Sequence, residues 1–152
     1  MQRRKPRGCS RCIPGGNHGI LAWPAARAAF PSTVTWNGSA AFGPFWSNDF
    51  NWTGGHAPAF FADVVFDDTS VRDNQIDLQE YGINSLTIMP GYTGTFSAIP
   101  GGTLVLLEGL TMSQPNNVML PFNIRADQNQ TWQVPQIIGQ LEVGGTVRLP
   151  SI

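Results

Sequence analysis

The chain has 152 residues, of which 12% are charged, with 17 Gly, 12 Pro and a net charge of −1. This is the length of one domain with a moderate core, at about half the charge of an average soluble domain, which excludes a long charged helical bundle. Six basic residues and no acid precede position 36, while three basic residues and all ten acids follow it, so the body is acidic and has no electrostatic footprint for nucleic acid.

Residues 1–32 read as a basic leader or disordered head. MQRRKPRGCSRC is followed by the apolar run Gly19–Phe30, and Ala26-Arg27-Ala28 has the A-x-A form of a cleavage site, so a degenerate signal peptide fits the order of parts. Pro24 and Arg27 break the run. Both cysteines, Cys9 and Cys12, lie in this head, with only His18 near them. That is short of a zinc ligand set, and no disulfide frame supports the body. No stretch of about 18 apolar residues exists, so no transmembrane helix is expected.

Residues 33–75 read as an irregular, aromatic-rich N-terminal cap. Thr33–Trp36 and Asp63–Phe66 are strand-like, and the loop between them carries Trp36, Trp46 and Trp52 interleaved with Phe42, Phe45 and Phe50. Buried, three such rings would close the open end of a β core; exposed, they would form a sugar-stacking platform. The interleaved Phe residues favour burial. Asp63, Asp67, Asp68, Asp73 and Asp77 invite a calcium reading but follow neither an EF-hand nor a nonapeptide spacing, so they read as solvated loop acids.

From Ile76 the chain turns into short strands between glycine and asparagine turns. Ser85–Ile88, Thr93–Phe96 and Thr103–Leu106 alternate apolar or β-branched residues with small polar ones, punctuated by Pro90-Gly91 and Pro100-Gly101-Gly102. Leu110–Met112, Val118–Leu120, Phe122–Ile124, Thr131–Val134, Leu141–Val143 and Thr146–Leu149 follow, with Gly109 among the expected turns. Leu86, Leu104 and Phe122 are 18 residues apart and Leu141 is 19 further on, a self-similarity near the length of a solenoid coil. The expectation is an all-β solenoid over 76–152 whose coils continue past the C-terminus. An antiparallel β-sandwich is the alternative.

Catalytic motifs are missing. His56 sits in a Gly-Gly-His-Ala-Pro turn, and a triad with Ser39 or Ser47 and Asp49 has no nucleophile-elbow context. There is no phosphate-binding glycine loop. No catalytic residue, metal ligand set or cofactor is expected, and the chain reads as a non-enzyme. Trp36, Trp46 and Trp52 are the only candidates for a ligand contact, in a carbohydrate-binding module. Acids between Asp63 and Glu80, Asp67 and Asp68 among them, would serve a fragment of a β-helical polysaccharide-degrading enzyme.

The order Trp36-Asn37-Gly38, Asn51-Trp52-Thr53-Gly54-Gly55, Pro58 and Asp63-Val64-Val65-Phe66-Asp67-Asp68 resembles the opening of autotransporter-associated β-strand repeat proteins. Ser85–Ile88, Gly91–Phe96, Gly102-Thr103-Leu104 and Asn129–Trp132 extend the resemblance, which spans about residues 33–149. It implies a right-handed parallel β-helix in a secreted or cell-surface bacterial protein with an adhesin-like or spacer role. The implied partners are a glycan or a host-surface molecule and further coils of the full-length chain. It transfers no catalytic residue.

Overall fold

The computed structural model describes residues 32–70, 72–113, 117–134 and 141–150. The expected strands in the head-proximal and central regions form, and they pair in parallel. The elements are β1 (Thr33–Thr35), β2 (Asp63–Phe66), β3 (Asn74–Ile76), β4 (Glu80–Ile88), β5 (Phe96–Ala98), β6 (Thr103–Met112), β7 (Val118–Leu120), β8 (Asn123–Ala126), β9 (Thr131–Gln133), β10 (Leu141–Val143) and β11 (Val147–Arg148). One 3-10 turn, Asp49–Asn51, lies in the loop between β1 and β2.

Three ladders wrap one core. The first runs β1–β2–β4–β6–β9 through Ser85–Ile88 of β4 and Gly109–Met112 of β6. The second runs β4–β6–β8–β11 through Glu80–Ile83 of β4 and Thr103–Leu106 of β6. The third pairs β3 with β5 and β7 with β10, and β5 neighbours β7. The chain visits the ladders in the repeating order third, second, first. This is a parallel β-solenoid of about three coils, in which each strand buries its apolar side only by stacking on its neighbours. An antiparallel sandwich is excluded, because every ladder pairing between these strands is parallel.

The coil length differs from the expected 18 residues. Asn123 pairs with Thr103 and Gly109 pairs with Ser85, separations of 20 and 24 residues. Leu86, Leu104 and Phe122 therefore do not stack on one another. Leu86 stacks between Val64 and Leu110, and Leu104 between Tyr81 and Ile124. Thr93–Thr95 are not strand; β5 begins at Phe96. Gly109 is not a turn but lies inside β6, at φ 150°. A β-bulge there sets Leu107 and Glu108 against the single residue Asn84, and it passes β4 and β6 from the second ladder to the first.

The inward residues form one continuous core: Val64, Leu86 and Leu110; Phe66, Ile88 and Met112; Tyr81, Leu104 and Ile124; Ile83 and Leu106. Trp36, Trp46 and Trp52 lie across the β1 end of this core and pack against Phe66 and Tyr81. The loop between β1 and β2 thus plugs one end. At the other end β9, β10 and β11 each pair on one side only among the described residues.

Candidate functional site

Trp36, Trp46 and Trp52 are 0, 0 and 1% exposed. Their rings meet edge to face, with centroids 5.0 Å apart for Trp36–Trp52 and 5.5 Å for Trp46–Trp52. A ring with no open face cannot stack on a sugar, so these tryptophans are the plug of the solenoid and not a glycan platform. Each indole N–H is satisfied: Trp36 donates to Arg72 O at 3.3 Å, Trp46 to Asn74 Oδ1 at 2.7 Å and Trp52 to Trp46 O at 2.8 Å. Asn74, itself fully buried, donates on to Tyr92 Oη at 2.7 Å and to Thr95 O at 3.1 Å. Burial pushes the Tyr92 phenol upward, and it pushes Tyr81 up to about 12.

Asn51 holds the loop together. Its amide donates to Gly43 O and Phe45 O, and its Oδ1 accepts from Ala40 N. Asn51 opens the Asn51-Trp52-Thr53-Gly54-Gly55 motif, but nothing in the sequence marks its side chain, or that of Asn74, as a buried tie.

The suspected triad does not assemble. Ser39 Oγ donates to Phe50 O at 2.6 Å, Ser47 Oγ donates to Asp77, and Asp49 Oδ1 accepts from Ala57 N at 2.8 Å. His56 is exposed. Cys9, Cys12 and His18 lie outside the described residues.

The loop acids serve local joints. Asp63 accepts from Asn84 and Ser85, Asp67 from the N–H and hydroxyl of Thr69, and Asp77 from Ser47. Asp73 accepts from the hydroxyl and N–H of Thr95, and those bonds hold its carboxyl below the usual range. Asp68 packs beside Gly91, where a Cβ would meet it at 2.6 Å. Among the described residues no three His, Cys, Asp or Glu side chains converge as a metal would require. No helix among them is long and apolar enough to cross a membrane.

Polar groups cluster on the outer side of the second ladder. Arg125 reaches back over β6 to Glu80, with Nη1 2.7 Å and Nη2 3.0 Å from the two carboxylate oxygens, and its Nε lies 2.7 Å from Asp127. Both carboxylates raise the Arg125 pKa, Glu80 the more strongly. Exposed pairs of this kind contribute about 0–1 kcal/mol each, so the fork orders the surface more than it stabilises the fold. A cleft of about 310 Å³ is lined here by Glu80, Thr103, Asn123, Arg125, Thr146 and Arg148. In the same ladder Gly82 leaves room for the ring of Phe60, which a Cβ at that position would meet at 2.1 Å. Phe60 meets Phe61 edge to face at 4.3 Å. Both remain more than half exposed, at 58% and 54%. Phe61 is the only non-glycine residue at positive φ among the described residues, at 74°.

The chain matches no protein-family model, no curated protein and no solved structure.

Proposed function

We propose that this chain is a non-catalytic β-solenoid scaffold of a secreted or cell-surface protein, with an adhesin-like or spacer role. The observation that carries the reading is the asymmetry of the two ends. One end is plugged by three buried tryptophans. Among the described residues the other leaves β9, β10 and β11 with one partner each, Trp132, Val134, Leu141 and Val143 only partly buried, and Val147 and Leu149 41% and 73% exposed. Such strand edges are templates for further parallel strands, and further coils of the full-length chain are the partner that matches their spacing. A rod plugged at one end and extended at the other separates what it carries from its base.

The resemblance to autotransporter-associated β-strand repeat proteins supports the same reading and the extracellular location. The decisive test is where the chain resides in its source organism. Protease added to intact cells, or fractionation of the medium, is expected to find the body outside the cell. Recovery in the cytoplasm alone would contradict the reading.

A further inference from the structure

We propose that Asn129, in the turn between β8 and β9, is an acceptor asparagine for a covalently attached glycan. Three Asn-x-Ser/Thr sequences, the pattern that such acceptors share, occur in the chain: Asn37-Gly38-Ser39, Asn51-Trp52-Thr53 and Asn129-Gln130-Thr131. The pattern is short enough to recur by chance, and the surroundings of the three differ. Asn51 is 1% exposed, and its amide nitrogen donates to Gly43 O at 3.0 Å and to Phe45 O at 3.1 Å. A saccharide on that nitrogen has no room and would break both ties. Asn37 is half-buried, and its Oδ1 accepts from Ser39 N at 2.9 Å. Ser39 Oγ donates to Phe50 O at 2.6 Å, so the hydroxyl two residues after Asn37 is already engaged.

Asn129 differs in each respect. Asn129 and Thr131 are both exposed, and neither side chain forms a hydrogen bond among the described residues. They line one cleft of about 650 Å³ on the outer side of the first ladder, beside Ser85 and Thr111. The amide nitrogen and the hydroxyl that a transferase must hold together are therefore open from the same side. The turn itself is anchored around Asn129. Asp127 pairs with Arg125 at 2.7 Å, while Gln130 donates to Leu106 O at 3.0 Å and accepts from the Trp132 indole at 2.9 Å. In the transfer, the Asn129 amide nitrogen attacks C1 of a saccharide carried on a polyprenyl pyrophosphate. The N–C1 bond forms, the C1–O bond breaks, the pyrophosphate leaves with the electron pair, and the amide proton passes to a carboxylate of the transferase. Nothing is oxidised or reduced. The inference rests on the extracellular location proposed above, since such saccharides are transferred on the far side of the membrane.

The test is mass spectrometry of the full chain recovered from the source organism, intact and as peptides. A saccharide mass is expected on Asn129, with Asn37 and Asn51 bare. Asn129→Gln and Thr131→Ala should each abolish it, and Thr131→Ser, which keeps the hydroxyl, should retain it. Asn129→Gln should melt with the unmodified parent, because its exposed side chain makes no bond to lose. A chain found outside the cell with Asn129 bare overturns the proposal and leaves the location intact. Saccharide on Asn51 of the folded chain, or on Asn129 of Thr131→Ala, overturns it as well. Recovery from the cytoplasm alone overturns both the proposal and the location.

Discussion

At the scale of single residues, the buried polar chain Trp46–Asn74–Tyr92 explains why so aromatic a plug has one arrangement. Every buried side-chain nitrogen and oxygen among the described residues has a partner, and leaving such groups unpaired costs about 1–3 kcal/mol each. Asn74→Ala strands both the Trp46 indole N–H and a Tyr92 contact. It should lower stability by about 3 kcal/mol in urea titration, with little change in the m-value. The two tyrosines of the chain, Tyr81 and Tyr92, give a pH signature. Both phenols are raised above their unfolded value of 10.0. The stability this represents is fully present below pH 10 and is lost as pH rises from there through the folded values, about 12 for Tyr81. Absorbance at 295 nm should therefore show no phenolate in the folded chain near pH 10.5, and ionisation should coincide with alkaline unfolding. Free titration near pH 10 would show that the phenols are not buried. Tryptophan burial was expected from the interleaved Phe residues, yet Phe42, Phe45 and Phe50 are themselves exposed, so the outcome rests on the plug that the three indoles form and not on the interleaving. The roles of Asn51 and Asn74 were not legible, since they depend on carbonyls and indoles brought in by the coil geometry. Phe60 and Phe61 were passed over for a similar reason: nothing local distinguishes an aromatic that packs inward from one seated on a glycine of another coil.

At the scale of elements, the strands were legible from alternation and their turns from Pro-Gly, but their stacking was not. Leu86, Leu104 and Phe122 share a spacing because coils repeat, yet Leu86 belongs to the first ladder and Leu104 to the second. Each coil passes through three ladders, so inward residues of different ladders recur at spacings shorter than the coil. β4 and β6 concealed this further, because each is one continuous strand serving two ladders through a bulge. Gly109 makes that bulge possible: a Cβ there would lie 2.7 Å from Thr131 O, and its φ of 150° disfavours other residues. Gly109→Ala should thus cost about 2 kcal/mol or more, measured as a fall in the thermal midpoint. The inward stacks should behave as an ordinary core. Leu106, fully buried between Ile83 and Ala126, should cost about 2–5 kcal/mol on replacement by Ala. The outward Thr87→Ala should change stability by about 0.5 kcal/mol or less.

At the scale of the whole molecule, the described residues form a short solenoid whose β1 end is plugged and whose β9, β10 and β11 each pair on one side among those residues. Stability in such an array is a sum of coil terms and nearest-neighbour interfaces. The plugged end, with its aromatic stack, should exchange amide protons slowest, and β10 and β11, paired on one side, should exchange fastest. The solenoid class could be read from the rhythm of strands and turns, and it fixes which residues share an outer surface only once the register is known. A slip of one residue would reverse every side chain, so the outer rows stand or fall with that register.

The most direct test of the register is a pair of engineered disulfides in a Cys9→Ser, Cys12→Ser background. Thr87 and Thr111 are register partners on adjacent strands, with Cα atoms about 4.8 Å apart, inside the range of about 4.4–6.8 Å that a disulfide spans. Thr87→Cys with Thr111→Cys should cross-link under mild oxidation without loss of folding. Thr87→Cys with Val105→Cys, the pairing that an 18-residue coil would impose, should not. Cross-linking of the second pair and not the first would contradict the coil geometry and the outer surfaces built on it.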